Sequence, residues 1–344
     1  MNQGGHGAIR PIGDGSILAK AAPQGSIENE FYSRIRANDY PQLTAVVPAS
    51  YTADQVREHQ QLTPDEVAIV DDRTHVFFEN IAQGDVKKLD TKIGAQSSSF
   101  RELKAQHGMS SAAAALKSIK LSIADLSTGS VKRGWRVVGG DDARDSRLRS
   151  GIESQSILRK FSDEPQVWDQ LIGKMEGIRD AAQQTDIGFV ASSVFSVQGT
   201  HNDGQVVEAK LIDFAHVIDA DKPFTRTPDV SPVNSPQNSP EHSPRMNPSP
   251  AAGNDAGRTA TAQGTSQSSV NWPQMKNKYR DLFIDGMNSL INDAKTVRAE
   301  KQQTMAAAAA NIRASGATVS ASSAAAATPP PGPGAPGQQA ALRK

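Results

Sequence analysis

The sequence predicts an α+β fold, and three observations carry that prediction. Short stretches of strand character recur from Ser16 to Phe214. Amphipathic helical stripes stand between them. Asn202-Asp203-Gly204 supplies hairpin turn chemistry between the last two apolar runs.

The elements follow in order. Ser16 to Lys20 reads as a strand ending in a lysine, and Ile27, Phe31 and Ile35 mark a helix by their spacing of four. Leu43 to Tyr51 reads as partly extended and broken by Pro48. Val67 to Val70 and His75 to Phe78, around Asp71-Asp72-Arg73-Thr74, give a strand, turn and strand signal. Glu79 to Gly84 is a connector, and Val86 to Ile93 a further strand. Residues 96–133 are polar and helical in part, and Gly134 to Gly139 resumes strand character. Glu164 to Gln183 is a helix with Val167, Leu171, Met175 and Ile178 on one face. Strands at Ile187 to Val197 and Val206 to Phe214 close this part of the chain.

Composition then shifts. Pro228 to Pro250 holds five Ser-Pro dipeptides and almost nothing apolar, and 251–270 is rich in Ala, Gly, Thr, Ser and Gln. Such segments bury too little surface to offset ordering entropy, so disorder is expected. From Tyr279, Leu282, Met287, Leu290 and Ile291 form a helical stripe, which the following alanines can extend; the Pro/Gly-rich end cannot pack.

The 344 residues contain no cysteine, which excludes disulfides and thiolate zinc sites. No apolar run is long enough to span a bilayer, and the N-terminus lacks the apolar core of a signal peptide, so a soluble intracellular protein is expected. The zero net charge argues against direct nucleic-acid binding. There is no P-loop and no nucleophile elbow.

Four constellations carry possible chemistry. Asp90 and Lys92 alternate onto one face of a strand that ends at Gly94. A carboxylate beside an ammonium suits phosphoryl transfer to an alcohol, and equally an exposed ion pair. Asp213 ends an apolar strand just before Phe214, where a metal ligand or a turn cap belongs. Ser193, in the hairpinned strand, is either a metal or phosphate contact beside Asp213 or a polar spacer. Between Arg101 and Arg133, six basic residues (Arg101, Lys104, Lys117, Lys120, Lys132, Arg133) outnumber Glu102 and Asp125. That excess suits a multiply phosphorylated substrate or a solvated helix face.

Taken in order, these pieces resemble the inositol polyphosphate kinase family. Its Pro-x-x-x-Asp-x-Lys-x-Gly signature is matched by Val86 to Gly94, its Ser-Ser-Leu-Leu segment by Ser192-Ser193-Val194-Phe195, and its Ile-Asp-Phe segment by Ile212-Asp213-Phe214. Gly5-His6-Gly7, Ile17 to Lys20, Glu30-Phe31-Tyr32, Val47 to Tyr51, Gly134 to Gly139 and Asp285 to Leu290 add weaker matches along the chain. Val86 replaces the signature proline, Val194-Phe195 replaces Leu-Leu, and Asn80 stands where the family often has a ribose-binding acid.

The resemblance implies a two-lobed kinase-like fold with ATP between a small β-rich N-lobe (1–84) and a larger α+β C-lobe (85–222). A disordered Ser-Pro-rich insert (223–272), a C-lobe closing helix (273–302) and a mostly disordered tail (303–344) follow. It implies ATP and Mg2+ as cofactors. Lys20 would meet the ATP phosphates, with Glu79, Asn80 and the backbone after them at the adenine hinge. Asp90 would orient or deprotonate the acceptor hydroxyl, Lys92 would bridge substrate and γ-phosphate, and Asp213 with Ser193 would hold magnesium. Arg101, Lys104, Lys117 and Lys120 are the candidate substrate-binding residues.

The multikinase branch is the first expectation for activity, with a hexakisphosphate kinase or a non-catalytic scaffold as alternatives. The expected partners are an inositol polyphosphate and, at the Ser-Pro insert, proline-directed kinases or phosphopeptide readers. A monomer in the nucleus or cytoplasm is expected.

Overall fold

Alternation of apolar residues sets up the first of two antiparallel sheets. Ile9–Ile12 (β1), Ile17–Ala21 (β2), Ser50–Tyr51 (β3) and His75–Glu79 (β4) pair in the order β1-β2-β4-β3. Successive side chains point to opposite faces. Ile17, Ala19 and Phe77 therefore face a small cluster with Ile12, Val56 and Val70, while Val76 and Phe78 turn to the main core. Lys20, two residues beyond Leu18, shares that inner face. The structure, a computed structural model, describes residues 9–94, 130–142, 151–202, 204–221, 224 and 271–325.

The inner face of this sheet is covered by Ile27–Arg36 (α1), whose Ile27, Phe31, Tyr32 and Ile35 are buried. Ser26 caps it by accepting from the Asn29 amide at 3.3 Å. The outer face carries Ala53–His59 (α2) and Pro64–Asp71 (α3), both opened by capping boxes, Thr52 with Gln55 and Thr63 with Glu66. Val67 to Val70 is thus helical, not a strand as expected. The capping box and Pro64 in the first turn outweigh the weak β-preference of two valines and an isoleucine. Leu43 to Val47 is likewise a series of turns, and only Ser50–Tyr51 pairs as a strand.

Asn80 to Gly84 connects the two sheets. The second contains Asp85–Ile93 (β5), Trp135–Gly140 (β6), Ser193–His201 (β7) and Gly204–Ile212 (β8) in the order β6-β5-β7-β8. The β7–β8 hairpin turns at Asn202, at φ 48°, as the turn chemistry predicts. Ile187 to Ser192, expected as strand, is irregular and forms one isolated bridge from Gly188 to Ile218. Gly188 there lies so close to the Lys276 backbone that a Cβ would sit 2.8 Å from its carbonyl oxygen.

Helices Ser130–Arg133 (α4), Gly151–Phe161 (α5), Pro165–Gln184 (α6) and Trp272–Ala325 (α7) complete the described residues. The apolar face of α6 packs as its spacing predicts, with Val167, Leu171, Met175 and Ile178 all buried. Met287, Leu290, Ile291, Ala294 and Val297 of α7 pack into the same core. Its crossing with the start of β6 is tight: a Cβ on Gly286 would sit 2.3 Å from the Gly134 carbonyl oxygen.

The alanines extend this helix as their composition allows, so that 303–325, within the expected tail, is helical. Alanine is the strongest helix former, and a run of it continues a helix that the core has already nucleated. Every residue from Gln302 to Arg313 is exposed. Gly5-His6-Gly7, nearly all of the Ser-Pro-rich insert and 326–344 lie outside the described residues; Phe224, within the expected insert, packs against the main core. Among the described residues no helix is long and apolar enough to cross a membrane.

Candidate active site

The sheets meet around one ionic cluster. β2 delivers Lys20 to the inner face of the first sheet, and β8 ends by delivering Asp213 from the second. Lys20 Nζ donates to Asp213 Oδ1 at 2.9 Å and to Glu28 Oε1 of α1 at 2.7 Å. Lys92 Nζ on β5 lies 3.9 Å from the other Asp213 oxygen. Asp90 shares that face of β5, while Leu89, Thr91 and Ile93 turn inward and are buried.

Asp213 has a φ of 66°, unusual for a residue with a side chain. Ser192 Oγ donates to its carbonyl oxygen at 3.0 Å. Gly139 stands opposite Asp90, where β6 carries an extra residue. A Cβ there would sit 3.3 Å from the Asp90 Cβ, so glycine leaves the carboxylate its space.

The electrostatics follow from burial and from this pairing. Burial lowers the proton affinity of Lys20, but Asp213 and Glu28 outweigh it and hold the ammonium above its usual range. Burial raises Asp213, yet Lys20 and Lys92 bring it below the ordinary carboxylate value. Glu28 is raised, because its desolvation exceeds the pull of Lys20. Asp90 is pushed up to about 6 by burial and then by the neighbouring Asp213 charge. Ser193 moderates that rise from across the strand pair without making a well-formed hydrogen bond to it.

Two atoms are left over. Asp90 Oδ1 and Ser193 Oγ are buried with no hydrogen-bond partner. Buried polar atoms without partners are costly and mark places where a ligand completes the set. Among the described residues no three acidic or histidine side chains cluster as a metal cage. The donor set therefore fits a magnesium ion only as phosphate enzymes hold it, on one or two protein oxygens with the remaining positions filled by phosphate and water.

Of the residues singled out in the sequence, Lys20, Asp90, Lys92, Ser193 and Asp213 come together. Glu79 and Asn80 stand at the connector, turned to its own support. Glu79 Oε2 accepts from the Ala49 amide at 3.3 Å, and Asn80 Nδ2 donates to the Gly15 carbonyl at 2.8 Å. Asn80 Oδ1 accepts from the Ala82 amide at 3.1 Å, so both ends of its amide brace the chain. A shallow cavity of about 220 Å³ beside them is lined by Glu79, Asn80, Ile81, Gln83 and the outer side of the β7–β8 hairpin. Arg101, Lys104, Lys117 and Lys120 lie outside the described residues. Glu28 is the participant that the sequence reading missed. Its signal was its place on the buried stripe of α1, three residues before Phe31 and four before Tyr32.

No protein-family model matches the chain. No curated protein matches it either. Among solved structures, the inositol phosphate multikinase Ipk2 of S. cerevisiae, crystallised in complex with ADP and Mn2+, is similar in backbone. The match covers 82% of this chain and 99% of that chain, at 12% identity and a TM-score of 0.47.

Proposed function

We propose that this chain is an ATP- and magnesium-dependent kinase that phosphorylates hydroxyls of inositol polyphosphates, as a multikinase does. One observation carries the reading. The Lys20, Asp90, Lys92 and Asp213 side chains, singled out by a family resemblance in the sequence, gather at one point with an orphaned carboxylate oxygen among them.

Phosphoryl transfer asks little covalent chemistry of a protein and much positioning of charge. Lys20, steadied by Glu28, meets the nucleotide phosphates, in the manner of the lysine–glutamate pair of protein kinases. Lys92 neutralises charge between nucleotide and acceptor. Asp90 accepts the proton of the attacking hydroxyl; its raised proton affinity suits a base working near neutral pH. Asp213 and Ser193 would hold magnesium, which supplies neutralisation of the phosphate oxygens. Retaining two lysines and three carboxylates in so buried a cluster costs stability, which a scaffold alone would not require.

The test is incubation with labelled ATP, magnesium and a panel of inositol phosphates, resolved by ion-exchange chromatography. Label appearing in a more highly phosphorylated inositol supports the reading. No transfer to any member at millimolar magnesium would overturn it.

A further inference from the structure

Thr63-Pro64, between α2 and α3, is the single step among the described residues where proline follows a serine or threonine. Proline biases the residue before it toward extended backbone. Thr63 obeys, at φ −72° and ψ 161°, and it is exposed. Gln60 to Leu62, just before it, lie outside any helix or strand. An exposed hydroxyl on extended backbone, with proline next, is what a proline-directed protein kinase takes as its acceptor.

That hydroxyl has a place in the structure. Thr63 Oγ1 donates to Glu66 Oε2 at 2.9 Å, and the Thr63 amide donates to the same oxygen at 2.8 Å. The other Glu66 oxygen, Oε1, accepts from the Gly13 amide at 3.0 Å. Glu66 thus fastens the N-terminus of α3 to the turn between β1 and β2. The Thr63 amide and hydroxyl, and then the Gly13 amide, hold its carboxyl below the ordinary range, so it is charged at neutral pH.

We propose that Thr63 is a phosphorylation site for a proline-directed protein kinase, and that phosphate there frees the β1–β2 turn from α3 at Gly13. The γ-phosphoryl group of ATP moves to Thr63 Oγ1. A new O–P bond replaces the bond to ADP, and the hydroxyl proton passes to the base of the modifying kinase. Glu66 loses a donor and gains a neighbour of charge about −1.5 to −2. Asp65, in the same first turn, adds a further negative charge. The phosphate can itself cap α3, because the Glu66 amide is already 3.4 Å from Oγ1 and a helix N-terminus favours an anion. The Glu66 carboxylate is then repelled from both its contacts. The turn keeps its other ties, from the Asp14 amide to Gln60 Oε1 at 3.0 Å and from Asn80 Nδ2 to the Gly15 carbonyl at 2.8 Å. The release is therefore local to Gly13, and it does not depend on the kinase reading above.

The experiment treats the full chain with a purified mitogen-activated protein kinase, ATP and magnesium, and locates phosphate by tandem mass spectrometry. Phosphate on Thr63 is expected, and its absence overturns the site. Hydrogen exchange is then followed in a peptide spanning Gly13. One amide is expected to exchange at least tenfold faster after phosphorylation, the scale on which a hydrogen bond to a charged group protects its donor. Unchanged exchange in the phosphorylated chain overturns the release. Two variants separate added charge from lost capping. Thr63→Val removes the hydroxyl without adding charge, and Gly13 is expected to stay protected. Glu66→Gln keeps an acceptor for Gly13 without a charge to repel, so phosphorylation is expected to leave Gly13 protected. Acceleration in unphosphorylated Thr63→Val equal to that in the phosphorylated chain, or the same acceleration in phosphorylated Glu66→Gln, overturns the repulsion of Glu66 as the cause.

Discussion

Lys20 and Asp213 meet at 2.9 Å although 193 residues separate them in the chain. Lys20 lies in the first sheet and Asp213 directly follows the last strand of the second, so their ion pair is a joint between the two halves of the fold as well as a piece of the candidate site. Replacing Asp213 with Asn removes one of the two carboxylate partners of Lys20 and the negative charge paired with Lys92. Phosphotransferase activity is expected to fall by roughly 10³-fold or more in a radiolabel assay, the scale seen when charge stabilisation at a transferring phosphate is lost. The stability effect should depend on pH. Asp213 has a lowered pKa when folded, so its contribution is present above the unfolded value near 3.8 and is lost as pH falls through the folded value. Wild type and variant should therefore differ in Tm at neutral pH and converge in acid.

Glu28 tests whether the pair in the first sheet serves nucleotide binding. In Glu28→Gln, Lys20 keeps Asp213 and the helix keeps its packing. Because burial already raises the proton affinity of Glu28, loss of its charge relieves desolvation and offsets part of the lost ion pair. Stability is expected to change by only about 1 kcal/mol. The KM for ATP is expected to rise by roughly tenfold or more with the acceptor KM unchanged, a split that separates nucleotide positioning from substrate recognition. Equal changes in both constants would count against the assignment.

Asp90 yields a prediction of opposite sign. Its folded pKa of about 6 lies above the unfolded value near 3.8. Between these values the folded state binds more protons, so the stability tied to Asp90 is full below the unfolded value and is lost as pH rises through about 6. Asp90→Asn should therefore be more stable than wild type at pH 7, by up to about 3 kcal/mol if the whole shift is realised. The same variant should lose its activity. Thermal melts at pH 4 and pH 7 check the first claim: the advantage should be large at pH 7 and small at pH 4. In wild type, kcat/KM should fall as pH drops below about 6, where the base is protonated.

How far these features could be read in the chain itself depended on the physics behind each. Asp90 and Lys92 were legible because strand alternation fixes their common face regardless of tertiary detail. Asp213 was legible as the residue where an apolar strand stops. Glu28 was not, since its role comes from Lys20 closing on it across a helix–sheet interface, and a charged residue on an apolar stripe reads as a flaw in the pattern. Val67 to Val70 misled because β-branched residues favour strands only weakly, while the Thr63–Glu66 capping box immediately before it decided for helix. The alanine extension of α7 was legible because an alanine run is helical without packing, whereas composition alone does not say where such a helix stops.

The crossing of α7 over β6 gives the most direct test of the fold. Gly286 of the helix and Gly134, which precedes β6, approach so closely that a Cβ on Gly286 would sit 2.3 Å from the Gly134 carbonyl oxygen and 2.9 Å from Ile93 Cγ2. Neither neighbour can yield cheaply: one is backbone, and Ile93 is 1% exposed in the core. The same Gly134 oxygen accepts from the Gly94 amide at 2.7 Å, so displacing it also disturbs the end of the strand that carries Asp90 and Lys92. Gly286→Ala is therefore expected to destabilise by roughly 2–4 kcal/mol through overpacking and a lost backbone bond. Its activity loss at low temperature should exceed that of a variant with an equal Tm loss placed far from β5. Ala308→Gly on the exposed part of α7 is expected to change Tm little, because that turn supports nothing beneath it. Denaturant melts of the two variants side by side check both outcomes. A Gly286→Ala midpoint matching wild type would mean that the crossing is looser than this geometry.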